Sequence, residues 1–138
     1  MDLSLDLKPV PAFCGTPVPD VKPAFLATLF GEPDEVELAE NAMYGEPINV
    51  LHYEALKLSF YFNVNTLVTL SVANKDFKLF NQKVFGMREE EIIELFKANG
   101  FPDHEIDKDW GEKQLIFESA GVTVFFDNQF VAEIFVDL

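Results

Sequence analysis

The chain repeats itself. Shifted by 64 positions, residues 51–74 lie on residues 115–138 without a gap: Leu51 meets Leu115, Tyr53 meets Phe117, Glu54 meets Glu118, Leu58 meets Val122, Tyr61 meets Phe125, Phe62 meets Phe126, Leu67 meets Val131, Leu70 meets Ile134 and Val72 meets Val136. Because the apolar alternation stays in phase, whatever the first stretch folds into the second should copy. Upstream, the punctuation recurs with a drifting offset. Tyr44-Gly45-Glu46 answers Trp110-Gly111-Glu112, and Leu26, Gly31, Pro33 and Asp34 answer Leu95, Gly100, Pro102 and Asp103.

Each copy begins with a short amphipathic helix. Over residues 88–99, Glu89, Glu90 and Glu91 occupy the first turn, Lys97 lies near the end, and Gly100 with Pro102 supplies the stop, all in keeping with the helix dipole and left-handed capping. Ile92, Ile93, Leu95 and Phe96 form its apolar stripe. In the first copy Asp20 is the expected cap, Pro23 sits in the first turn, and Phe25, Leu26, Leu29 and Phe30 precede the stop at Gly31. An acidic loop follows each helix. Three strands then come at 49–53, 57–63 and 67–72, matched by 113–118, 122–127 and 130–137, with tight turns at 63–65 and 127–129 closing the last two into hairpins.

The expected fold is therefore α+β: two tandem α-β-β-β units with antiparallel sheets and the helices packed on one face. Residues 1–17 form an N-terminal extension, 18–75 the first repeat and 76–138 the second, in one compact domain. The linker 73–86 contains Val84-Phe85, which offers an edge strand or a pairing between the two units.

Period-two alternation divides each middle strand into two faces. Leu58, Phe60 and Phe62, with Val122, Val124 and Phe126, belong under the helix. The mixed face carries Ser59, Tyr61, Thr123 and Phe125, joined from adjacent strands by His52, Glu54, Glu118, Glu133 and Phe135. Aromatics set among carboxylates are what an interface core with a polar rim contains. Two fates are open for that face: recognition of a partner, or burial by face-to-face packing of the copies or by a homodimer.

Ten Lys and Arg against twenty-four Asp and Glu leave a formal charge of −14, which repels nucleic-acid phosphates and anionic lipids. The expected partner is a basic protein. No Lys or Arg lies between Lys22 and Lys57, while Glu32, Asp34, Glu35, Glu37, Glu40, Glu46 and Glu54 all do. The apolar runs are too short to span a bilayer, and the first residues lack the basic start and apolar stretch of a secretory leader, so a cytoplasmic location is expected unless a leader has been removed. Cys14 is the single cysteine, so no internal disulfide forms.

A helix ending in Leu29-Phe-Gly-Glu-Pro-Asp34, a variable loop, and a strand leading into Leu56-Lys-Leu-Ser-Phe-Tyr-Phe62 resemble the BamE/SmpA-like lipoprotein fold of the outer-membrane assembly machinery. Two such units in tandem resemble the β-lactamase inhibitor protein. The resemblance implies a bacterial binding scaffold that acts by contact; the lipidated cysteine and the disulfides of those groups have no counterpart here.

Chemistry has little to stand on. His52 and His104 are the only imidazoles, neither within a catalytic motif, and the partner of His52 in the other copy is Ile116. Residues 103–109 are acidic but lack the ligand spacing and central glycine of an EF-hand loop. Glu54 and Glu118 are matched carboxylates, and such a pair held close in a cleft could do acid-base work on a glycoside, though repeat symmetry alone explains them. No phosphate-cradling glycine motif is present. The leading expectation is a non-enzymatic protein-binding module without cofactor or metal, in concrete form an immunity or inhibitor protein against a basic target. The alternative is a small-ligand or sugar-binding protein or minor hydrolase using a cleft between the repeats lined by His52, Glu54, Tyr61 and Glu118.

Overall fold

A computed structural model describes residues 3–8, 10–41, 46–108 and 113–138; the matched triplets at Tyr44 and Trp110 lie largely outside them. The elements run β1 (Ser4–Asp6), β2 (Ala12–Phe13), β3 (Thr16–Pro17), α1 (Pro23–Phe30), β4 (Glu35–Asn41), β5 (Glu46–Tyr53), β6 (Leu58–Asn63), β7 (Thr66–Val72), β8 (Lys78–Leu79), β9 (Gln82–Lys83), α2 (Glu89–Ala98), β10 (Glu105–Asp107), β11 (Lys113–Phe117), β12 (Val122–Asp127) and β13 (Phe130–Asp137). They form an eight-stranded sheet in the order β10-β11-β12-β13-β7-β6-β5-β4 and a five-stranded sheet in the order β3-β2-β1-β8-β9.

This corrects the expected fold class. The chain is mostly β, 47% strand against 20% helix, and is not two α-β-β-β units roofed by helices. The acidic segments after the helices hold the two edge strands β4 and β10, and the halves join through β7 and β13 into one sheet rather than lying as two. The cover over that sheet is shared. α1 fully buries only Leu26 and α2 buries Ile92, Leu95 and Phe96, too little apolar surface for eight strands. Leu3, Leu5, Phe13, Phe77 and Leu79 of the small sheet and its flanks complete it. β1 pairs in parallel with β8, through Ser4 and Lys78, so the N-terminal segment and the linker hairpin hold each other in place.

The caps differ locally from expectation as well. Asp20 closes a 3-10 turn, and Lys22 precedes α1 without a side-chain cap. α2 begins with the Glu91 carboxylate accepting from the Arg88 amide at 3.1 Å, and Gly100, at φ 91°, follows its end.

The pairing registers repeat at the offset of the sequence. Leu51↔Phe60 in β5–β6 corresponds to Leu115↔Val124 in β11–β12, and Phe60↔Leu70 to Val124↔Ile134. The register slips between Tyr61 and Phe62 in one half and between Phe125 and Phe126 in the other. On the covered side, apolar residues line up across strands: Val36, Leu51, Phe60, Leu70, Val136, Val122 and Phe117 in one row, Tyr53, Leu58, Val72, Ile134, Val124, Leu115 and Ile106 in the next. Both halves therefore contribute to a single core.

Candidate functional site

The open face of the eight-stranded sheet carries its own row: Glu35, His52, Ser59, Ser71, Phe135, Thr123, Ile116 and Glu105, each opposite the next on the neighbouring strand. His52, Tyr61, Phe125, Glu133 and Phe135, all expected on the mixed face, stand half-buried on it. Phe125 and Phe135 meet edge to face, with ring centres 5.4 Å apart. Ser71 Oγ donates to Glu133 Oε1 at 3.2 Å, linking the halves across the β7–β13 junction.

Glu54 and Glu118 are not part of this group. Both are exposed and lie past the ends of β5 and β11, in equivalent turns where their carbonyls accept from Lys57 N and Gly121 N at 3.1 Å. The Glu54 amide donates to Asp34 Oδ2 at 2.6 Å, tying that turn to the start of β4. Five strand spacings separate β5 from β11, about 24 Å at 4.8 Å each, so the two carboxylates cannot share a glycosidic bond. A continuous sheet runs where the cleft between repeats was expected.

His52 joins two side chains that sequence reading did not connect to it. Its Nδ1 lies 2.8 Å from Ser59 Oγ and its Nε2 3.2 Å from Glu37 Oε1. A neutral imidazole satisfies both by accepting the serine hydroxyl proton and donating to the glutamate. These are the groups of a nucleophilic relay, but Ser59 sits mid-strand between His52 of β5 and Ser71 of β7. The amides around it are committed to the ladder, leaving no donors to hold an oxyanion. The relay also lacks a copy: Ile116 and Thr123 occupy the equivalent positions.

Tyr61 stands beside this chain. Burial, then the carboxylates of Glu37 and Glu133, push its pKa above the ordinary 10.0. Tyr53, on the covered side, is raised by burial and then by Glu32 and Asp34, and its hydroxyl donates to Gly31 O at 3.1 Å. A phenol that holds its proton more tightly when folded contributes stability in full below its unfolded pKa and loses it as pH climbs through the raised folded value. Urea midpoints are thus expected to be insensitive to these groups near neutrality and to fall above about pH 10. Tyr61→Phe should lose less of its midpoint over that alkaline range than the parent chain; an equal loss would show that Tyr61 does not titrate from a perturbed site.

The acidic segments bracket the open face. Glu35 and Glu37 of β4 lie at one edge, Glu105 and Asp107 of β10 at the other, each alternating with an apolar residue turned to the covered side. Both segments are strands rather than the acidic loops that their composition suggests. The signal that finds them is the period-two pattern Glu35-Val36-Glu37-Leu38 and Glu105-Ile106-Asp107. Asp109 lies outside the described residues.

No protein-family model matches the chain, and no curated protein matches it by sequence. Solved structures do. An extracellular SCP-domain protein from Bacillus anthracis superposes with a TM-score of 0.53 at 15% identity, over 83% of this chain and 42% of its own. The uncharacterized protein YfeY from Escherichia coli gives 0.57 at 9% identity over the full length of both chains. A DUF4309 family protein, YjgB, from Bacillus subtilis gives 0.50 at 11% identity, covering 91% of this chain and 83% of its own. The likeness is one of fold alone. This chain spans less than half of the Bacillus anthracis protein. Among the described residues no helix is long and apolar enough to cross a membrane.

Proposed function

We propose that this chain is a protein-binding module, without catalysis of its own, that recognises a basic partner through the open face of its eight-stranded sheet. The observation carrying this reading is the grouping of half-buried Tyr61, Phe125 and Phe135 between two acidic edge strands. An aromatic centre desolvates on contact and supplies affinity, while a carboxylate rim steers a cationic partner and makes its arrival depend on salt. The formal charge of −14 acts in the same direction at longer range. An immunity or inhibitor protein against a basic target is the specific form of this reading.

The test uses the immobilised chain and two variants, Phe125→Ala/Phe135→Ala and Glu37→Gln/Glu133→Gln, against lysate of the source organism at low ionic strength. A specific partner should be retained by the parent chain, released by salt, lost with the aromatic variant and captured more slowly by the carboxylate variant. Capture that ignores both pairs, or a concentration-dependent dimer abolished by the aromatic variant, would remove the reading. The Glu37–His52–Ser59 chain gives the hydrolase alternative its own check: an ester-cleaving activity that disappears in Ser59→Ala would establish it.

A further inference from the structure

The same gap opens in both halves, between the start of the helix and the hairpin that ends the repeat, but its walls differ. In the second half it is a cleft of about 510 Å³ with Arg88, Lys113, Asn128 and Gln129 among its walls. In the first half it holds about 300 Å³ and is lined mainly by apolar groups, Pro23, Val36, Leu51, Phe62 and Val64, beside Glu32, Asn49 and Asn65. Lys113 and Asn128 stand where the first half has Asn49 and Val64, so the same frame carries a cation in the second half and a more apolar wall in the first.

Three further observations meet at this apolar cleft. β4 is the last strand of its sheet, with β5 on one side and no strand on the other among the described residues. Its Val36 and Leu38 point to the covered side yet are 60% and 69% exposed, because the roof of helices and small sheet ends before the edge. Val64, 61% exposed at the rim, is held at φ 58°, a left-handed conformation that a β-branched residue resists and that Asn128 fills comfortably in the other copy. An exposed, strained valine adds little to this fold; it completes the apolar wall.

A strand laid along β4 would place alternate side chains on the two sides of the sheet. On the covered side it would meet Val36, Leu38 and the cleft; on the open side it would meet Glu35 and Glu37. We propose that β4 takes up an extended segment of a partner protein as a ninth strand, the segment alternating apolar and basic side chains, with an apolar one seated in the cleft. A second copy of this chain is the poorer occupant, since β4 carries Glu35, Glu37 and Glu40 and no basic residue, so pairing β4 with β4 would gather like charge along one seam. This inference rests on the reading of a basic protein partner and assigns it a place and a sequence pattern.

The probe is a synthetic peptide alternating lysine and valine, compared with a peptide of the same composition with its valines in one block and with an alternating glutamate–valine peptide. The alternating cationic peptide should bind the intact chain at least ten times more tightly than either. Amides of Val36 and Leu38 should shift and exchange more slowly on binding. Val36→Ser/Leu38→Ser, which leaves charge and buried core untouched, should weaken that peptide at least tenfold, and Phe125→Ala/Phe135→Ala should not weaken it. Absence of binding, equal binding of the alternating and blocked cationic peptides, or full binding to the serine variant overturns the ninth-strand proposal. Salt-dependent binding of both cationic peptides that fails only in the phenylalanine variant would do so while leaving the open-face reading in place.

Discussion

Replacing Phe60 with alanine is expected to lower the unfolding free energy by about 3–5 kcal/mol. Its side chain is fully buried and its ring is the meeting point of the first half-core: Phe13 at 5.4 Å and Tyr53 at 5.8 Å edge to face, and Phe30 at 6.3 Å. These neighbours come from the small sheet, the large sheet and α1, so no one element can move to fill the space. The equivalent residue in the second half, Val124, is smaller. There the volume is supplied by Phe96 of α2 stacked on Phe117 of β11 at 3.8 Å. Because one core cluster spans both halves, the variant should unfold in a single transition at a lower urea midpoint, with fluorescence and circular dichroism coincident. A separate early transition confined to the first half would show that the repeats fold independently. Phe125→Ala, on the open face and half-exposed, should cost well under half as much.

The strands that bury one face were legible because their signal is arithmetic. Leu58, Phe60 and Phe62 alternate with Ser59, Tyr61 and Asn63, and the structure buries the first set. The hairpin turns at 64–65 and 128–129 were legible from the polar breaks in the runs. The edge strands were not, because every second position of a strand at the sheet edge faces water and carries charge, and Glu35, Glu37, Glu105 and Asp107 read as loop. Nor was the second sheet: β2, β3, β8 and β9 are two residues each, too short for any periodicity to register, and they are held by long-range pairing such as Ser4 with Lys78.

On the open face, parity alone located His52, Tyr61, Phe125, Glu133 and Phe135. It failed for Glu54 and Glu118, because their strands end one residue earlier, at Tyr53 and Phe117. The contact between His52 and Glu37 depends on β4 existing at all, so missing that strand also hid the hydrogen-bonded chain through Ser59. The matching registers of the two halves account for both the success and the failure. Pairing register and turn geometry, which the backbone dictates, are shared by the halves, while surface positions such as His52 and Ile116 differ.

Gly121 and Lys57 occupy equivalent positions after the matched glutamates, both in the left-handed region at φ 70° and 52°. Each accepts the amide that ends its repeat: Asp137 N donates to Gly121 O at 2.7 Å, and Ala73 N to Lys57 O at 2.9 Å. A Cβ added at Gly121 would lie 2.5 Å from the carbonyl oxygen of Asp137. Gly121→Ala should therefore incur about 1–2 kcal/mol of left-handed strain and about 1 kcal/mol more as the strand end moves and its hydrogen bond lengthens. At the other position the side chain is already present, so Lys57→Gly relieves strain, and the gain should be only about 0.5–1 kcal/mol because glycine also loosens the unfolded chain. Urea denaturation of the two single variants reads the signs directly, down for Gly121→Ala and up for Lys57→Gly. If both changes move stability in the same direction, the two turns are not mechanically equivalent, and the correspondence of the halves ends at the strands.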